Sequence, residues 1–354
     1  MSREAVAPSR VVIATAPVRV CDIGGWTDTW FARHGHVCSI AVQPGVTVRA
    51  AAYPRSTRPH ALVVDAVDYG ERLVLDSVAV EEVPERHRLL AAVTNEAAIP
   101  DHLAVELSVA SGVPPGCATG TSASVAVAMI GALDHLMAIA RAPDEIARAA
   151  HRVEVERLGL QSGVQDQVAA AHGGINHIEV TDYPDWCVHP VALADEIRSE
   201  LERRLLLVYL GRAHHSSAVH EQVVADLADE GPGSPRLDVL RRCAERAGAA
   251  VERGDWDALG RVMIDSTDAQ AALHPSIVSD DARRVIAVAE AGGARGWKVN
   301  GAGGEGGSLT LLCGAGADAR RTLAAVVAET EPASVIPIRL SAEGLRCREG
   351  RRRP

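Results

Sequence analysis

Strand-like apolar stretches at Val11 to Thr15, Val37 to Val42, Val46 to Ala51, Ala61 to Val67 and Leu103 to Val109 fill the first part of the chain. Helical periodicity appears over Arg86 to Ala98, and again over Ser124 to Ala138, Pro143 to Leu158 and Gly163 to Ala171. Pro143 suits a first helical position, and Ala142-Pro143 ends the run before it. Gly173-Gly174 leads into a strand over Ile175 to Val180, and the stretch from Tyr183 to Leu193 reads as a boundary. Beyond it, Leu205 to Leu210 predicts a buried strand, and helices dominate to Gly292 around a surface loop at Asp229 to Pro235. Strands cluster instead of alternating with helices, which predicts an α+β chain and not a doubly wound sheet. Two domains are expected, residues 1–190 and 195–345. The basic end, 346–354 with Arg351-Arg352-Arg353, reads as a frayed tail.

Composition narrows the function classes. A chain of 354 residues with 47% hydrophobic content can bury more than one core. A net charge of −10 with no arginine stripe disfavours a nucleic-acid partner. The apolar run Ala123 to Leu133 is too short to span a bilayer, and Met1-Ser2-Arg3-Glu4 opens no signal peptide, so no membrane partner and a cytoplasmic location are expected. Seven cysteines with no CxxC pair suggest reduced, mostly buried thiols instead of a zinc site or a disulfide framework.

The chemistry starts at Pro114 to Ser124, where small and hydroxyl-bearing residues precede the apolar helical run Val125 to Leu133. Such a turn points unpaired N–H groups and the positive end of the helix dipole at its guest, which suits a polyphosphate. Serine and threonine are also ordinary helix caps, so a purely structural turn is the competing reading. The Walker pattern fails, because Thr121 follows Gly120 and the single lysine of the chain is Lys298. A dinucleotide fingerprint fits poorly as well, since the turn lies deep in the chain and lacks GxGxxG.

Four segments together resemble the GHMP kinases. Pro115 to Ala123 is similar to their phosphate loop, Ala16 to Thr29 to their amino-terminal motif, and Lys298 to Gly304 to their carboxy-terminal glycine motif, with Gly163-Val164-Gln165-Asp166-Gln167 as the fourth. Within the family, Gly25-Trp26-Thr27-Asp28-Thr29 resembles the GGWSDT of fucokinases, and the Gln165-Asp166-Gln167 region resembles both fucokinases and bacterial heptose-7-phosphate kinases. Mevalonate kinases fit less well, having lysine where this chain has Arg19. The resemblance implies a two-domain GHMP fold, with an amino-terminal domain like ribosomal protein S5, a ferredoxin-like carboxy-terminal domain, and ATP and a sugar meeting between them.

Phosphoryl transfer needs a phosphate cradle, a divalent metal, a cation near the transferred group and a group that takes the acceptor's proton. The resemblance assigns the ATP cradle to Pro115, Gly116, Cys117, Ala118, Gly120, Thr121, Ser122 and Ala123, and Mg²⁺ binding to Ser122 and Glu154. Glu156 is the alternative ligand, but two residues on a helix project about 200° apart, so only one of the pair can face the metal. Asp166 is expected as the base and Arg19 as its partner. Gly24, Gly25, Trp26, Asp28 and Gly303 are expected at the sugar, where an indole offers a flat apolar face and a carboxylate accepts from hydroxyls. Arg212, His214 and His215 could supply a basic pocket if the sugar carries a phosphate. Glu305 departs from the family's glycine motif and puts a negative charge near the expected phosphates unless its loop swings outward. The expected activity is ATP-dependent phosphorylation of the anomeric hydroxyl of a heptose 7-phosphate or fucose-like hexose. A non-catalytic nucleotide- and sugar-binding regulator is the alternative. The expected partner is a small-molecule sugar, with a homodimer left open.

Overall fold

The computed structural model describes residues 6–77, 87–97, 99–213, 216–316 and 318–352. It is an α+β chain built on two sheets. The first sheet takes β1 (Arg10–Ile23), β2 (Gly35–Pro54), β3 (Leu62–Ala66), β4 (Glu71–Leu75), β5 (Leu103–Ser111), β6 (Ile175–Asp182) and β7 (Asp185–Pro190). The second takes β8 (Leu205–Tyr209), β9 (Gly296–Val299), β10 (Ser308–Leu312) and β11 (Ser334–Ile336), in the order β11-β8-β10-β9. The chain then returns to the first sheet through β12 (Arg339–Leu340) and β13 (Arg346–Glu349). All pairings are antiparallel except β3 with β5.

Helices α1 (Arg88–Glu96), α2 (Thr121–Leu136), α3 (Pro143–Arg152) and α4 (Gln165–His172) belong with the first sheet. Met129, Ile130 and Leu133 of α2 pack with Val12, Val48 and Leu107. After α5 (Asp195–Arg204) come α6 (Ser216–Leu227), α7 (Pro235–Arg253), α8 (Trp256–Leu273), α9 (Asp280–Ala291) and α10 (Ala319–Ala328). Leu259 and Met263 of α8 share a core with Val18, Val20 and Ile40 of the first sheet and Leu207 of the second, so one apolar cluster joins the two sheets. Among the described residues, no helix is long and apolar enough to cross a membrane.

Three expectations are corrected. Val37 to Val42 and Val46 to Ala51 form one strand, because Gln43, Pro44 and Gly45 fall where β2 changes partner from β6 to β5, and the missing proline N–H costs no bond to either. The boundary from Tyr183 to Leu193 contains β7, a hairpin partner of β6 that carries the buried Trp186. The frayed tail is partly a strand: Arg346 to Glu349 pair with Thr15 to Val12. Cys347 and Leu345 pack against the first core, and the Leu345 amide donates to the Ala171 carbonyl at 3.2 Å. Basic residues fit there because an edge strand of this kind buries little and keeps its charges in water.

A break in β1 positions the chemistry. Val12, Ala14 and Ala16 face the first core, but Val18 and Val20 face the second, so the strand changes faces across Pro17, where its register with β2 shifts. Across that point the pairing moves by two residues, from Ala16 opposite Val46 to Val18 opposite Val42, with the extra residues of β2 looping out at Gln43 to Gly45. Arg19 therefore lies on the side of α2 and α4 instead of in the joint core.

Leu345 packs directly over Gly131 of α2, which ties the carboxy-terminal return to the first core. Leu345→Ala should lower stability by about 2 kcal/mol, the usual cost of truncating a packed leucine. Urea denaturation checks this, and an unchanged midpoint would mean that the return segment is not packed.

Candidate active site

Gly120 lies in the left-handed region (φ 71°) immediately before α2, with no side-chain cap. The first amides of the helix, at Thr121, Ser122 and Ala123, have no intrahelical acceptor and point out of its start. A Cβ at position 120 would lie 2.9 Å from the Asp166 carboxyl carbon, so only glycine lets the loop and that carboxylate approach so closely. The Ser124 hydroxyl donates to the Pro17 carbonyl at 2.7 Å, fixing α2 to the break in β1.

Arg19 closes the other side. Its Nε donates to Asp166 Oδ1 at 2.8 Å and its Nη1 donates to the Ala118 carbonyl, while its backbone N–H donates to the Thr119 carbonyl at 3.0 Å. Burial opposes its charge, but Asp166, Asp22 and Asp28 outweigh that and hold the guanidinium above its ordinary pKa.

Asp28 is buried, and its Oδ2 accepts from the Val164 and Gln165 amides at 2.9 and 3.0 Å, capping the start of α4. Gly163 permits this, since a Cβ there would meet Asp28 Oδ2 at 2.2 Å. Burial raises the Asp28 carboxyl to about 6, against the lowering effect of those amide bonds.

Glu154 sits in a π-helical turn, Val153–Arg157, that follows α3. The wider turn carries Glu154 inward, and such turns recur at functional sites. Its Oε2 accepts from Ser162 Oγ at 2.8 Å and Gln167 Nε2 at 2.6 Å. Burial raises its carboxyl to about 7. Glu156 is exposed, so the two glutamates are separated as helical geometry requires.

These groups line one cleft of about 270 Å³. Arg19, Trp26, Asp28, Glu154 and Asp166 share it with Gly116, Cys117, Ala118, Gly120, Thr121, Ser122 and Ala123. Pro115, Gly24, Gly25 and Gly303 do not line it. Gly24 packs against the His36 carbonyl and Ala244, Gly25 against Asp22, and Gly303 against Ile277. Glu305 is exposed and outside the cleft, so its charge is solvated away from the loop. Arg212 is exposed and 3.9 Å from Asp281; His214 and His215 lie outside the described residues.

Ser162 and His220 also line the cleft and Gln167 lies buried behind it, three residues to which the sequence alone assigns no role. Ser162 and Gln167 orient Glu154, and His220 packs edge-on to Trp26 with ring centroids 4.8 Å apart. Burial lowers the His220 pKa. No spacing marks His220, which arrives from α6, far along the chain.

For a divalent cation, Ser122 and Glu154 provide a hydroxyl and a carboxylate in the same cleft. Among the described residues, no group of three or more His, Cys, Asp or Glu could hold a metal alone. A Mg²⁺ ion that keeps phosphate oxygens and water needs only one or two protein ligands, and a cation would relieve the cost of ionising buried Glu154, so this pair fits.

Residues 87–174 match the model of the GHMP kinases N terminal domain. Over 201 residues the chain is 28% identical to D-glycero-alpha-D-manno-heptose 7-phosphate kinase of Campylobacter jejuni, covering 57% of this chain and 59% of that protein. It is 25% identical to the bifunctional fucokinase/GDP-fucose pyrophosphorylase of Arabidopsis thaliana, over 83% of this chain and 29% of that protein. The chain thus spans less than two thirds of the length of these curated relatives. Among solved structures, a D-glycero-D-manno-heptose 1-phosphate kinase from Bacteroides thetaiotaomicron superposes with a TM-score of 0.75 at 19% identity, covering 95% of this chain and 98% of that one. Lactococcus lactis galactokinase superposes with a TM-score of 0.68 at 18% identity, covering 96% and 95%.

The raised Glu154 pKa has a consequence for stability. Below about 4.5 the group is protonated folded or unfolded; from there to about 7 only the folded chain retains the proton, so stability falls as pH rises through that window. Glu154→Gln should remove a slope of at most about 1.4 kcal/mol per pH unit, visible as a difference between variant and wild-type denaturation curves at pH 4.5 and 7.5. Parallel pH dependences would contradict it.

Proposed function

Because the chain carries a GHMP kinase N-terminal domain within the two-domain GHMP fold, we propose that it is an ATP-dependent sugar kinase whose reaction takes place in this cleft. The observation that carries the reading is the approach of the phosphate loop to the Asp166 carboxylate at Gly120, with Arg19 bonded to both. A triphosphate on the exposed amides of the loop has its terminal group beside an arginine and a carboxylate.

In this reading the acceptor hydroxyl oxygen forms a bond to the terminal phosphorus of ATP as the bond to ADP breaks, and the hydroxyl proton passes to Asp166. Arg19, held charged by three carboxylates, orients Asp166 through its 2.8 Å bond and stabilises charge on the transferred group. When bound at Ser122 and Glu154, Mg²⁺ would supply charge neutralisation for the phosphates. Asp28 and Trp26 face the acceptor, with the carboxylate accepting from hydroxyls and the indole covering an apolar sugar face.

The acceptor is proposed as the anomeric hydroxyl of a heptose 7-phosphate or a fucose-like hexose. The names of the two curated relatives and the fucokinase-like Gly25 to Thr29 segment support that choice.

ADP release measured with Mg-ATP and fucose, arabinose, galactose or heptose 7-phosphate should depend on one of these sugars; no dependence on any would argue against the reading. Asp166→Asn should lower kcat by about a hundredfold or more while leaving the Kd for ATP within about threefold. Unimpaired turnover would remove Asp166 as the base.

A further inference from the structure

The chain's single lysine lies outside the loop before α2, in β9. Of 36 basic residues, only Lys298 is not arginine, and it is among the largest fully buried side chains. It rises from β9 in the second sheet, where its Nζ donates to Gln270 Oε1 at 2.7 Å and to the Val299 carbonyl. A compact ammonium on a flexible stem fits a closed site that a planar guanidinium with five donors would not.

Lys298 Nζ lies 3.9 Å from Asp22 Oδ1, and Asp22 is also fully buried. Both oxygens of Asp22 accept from the Gly301 amide, at 3.1 and 3.0 Å. On its other side Asp22 Oδ1 lies 3.8 Å from Arg19 Nη1, and Arg19 bonds Asp166 at 2.8 Å. Four charges therefore alternate in sign from the second sheet to the cleft, and only the last, Asp166, is appreciably exposed, at 28% of its side chain.

A parallel neutral strap runs beside them. Asn300 Oδ1 accepts from the Cys21 amide at 3.0 Å, its Nδ2 donates to Ser308 Oγ at 2.9 Å, and that hydroxyl donates to the Cys117 carbonyl at 2.6 Å. The strap already fixes the backbone of β1 and of the phosphate loop. What it leaves unfixed is the Arg19 side chain, whose other acceptors, Asp166 and the Ala118 carbonyl, both lie on the cleft side.

We propose that Asp22, held by Lys298 and the Gly301 amide, is a positioning residue that sets the Arg19 guanidinium against Asp166 and the phosphate loop. The catalytic pair then depends on β9 of the second sheet and the turn that follows it, which supply Lys298 and the Gly301 amide. This inference rests on the kinase reading for its activity readout.

The test compares Asp22→Asn, Lys298→Met and the double variant, using kcat, the KM for ATP, thermal unfolding and the exchange of the Arg19 Nε–H in ¹⁵N-arginine-labelled protein, its signal identified by its loss in Arg19→Lys. Each single variant leaves a buried charge without its partner and should unfold at lower temperature, and the neutral double variant should regain the midpoint. The double variant should nevertheless show kcat reduced by about tenfold or more, a KM for ATP within about threefold, and faster exchange of the Arg19 Nε–H. Recovery of wild-type kcat, or an Arg19 Nε–H as protected as in the wild type, would reduce the pair to a structural ion pair and overturn the proposal. If the wild-type protein phosphorylates no sugar, the kinase reading fails, and the exchange of the Arg19 Nε–H in the double variant still decides the positioning role.

Discussion

The bond between Arg19 and Asp166 is the contact on which the site is organised. It needs three local conditions that only the folded chain brings together. β1 must change faces at Pro17 so that Arg19 leaves the joint core. α2 must start at a residue without a side chain, since the Asp166 carboxyl group occupies the space where a Cβ would stand at Gly120. α4 must begin beside them, and the Asp28 carboxylate secures this by accepting its first two amide bonds. A change at any of these places moves the pair without touching either member.

That dependence explains which parts of the site were legible in the sequence. The phosphate loop, the Gly25 to Thr29 segment and the Gln165-Asp166-Gln167 element are contiguous, and each carries its own backbone requirement, so residue order alone reveals them. Twelve of the sixteen expected site residues line the cleft; the other four, Pro115, Gly24, Gly25 and Gly303, do not, and the three glycines among them sit where a Cβ would meet neighbouring atoms. Asp22, Lys298 and Asn300 were not assigned roles, because their importance comes from burial against one another across about 280 positions of sequence, and no local pattern encodes that. In the sequence the lone lysine serves only to exclude a Walker loop and to open the carboxy-terminal glycine motif; its burial against Asp22 is a property of the fold.

The fold shows the same division. Helices α2 and α3 follow from periodicity and punctuation, with Gly120 before one and Pro143 opening the other, whereas α4 has Val164 before it and takes its cap from the distant Asp28. β7 and β13 were missed because an edge strand exposes half or more of its side chains and can be as polar as a loop. Their strand character comes from the partner, β6 in one case and β1 in the other, and not from their own residues.

Three carboxylates meet in the cleft, and their surroundings separate them. Asp28 and Glu154 are buried, and desolvation raises both, to about 6 and about 7. Asp166 faces the cleft and bonds directly to a permanently charged guanidinium. Glu154, costly to ionise and braced by Ser162 and Gln167, is suited to a group that is paid back by a bound cation. Asp28, tied to two amides, is suited to holding a neutral hydroxyl. Asp166 alone combines exposure with a fixed positive neighbour, and under the proposed reaction that leaves it open to the acceptor's proton.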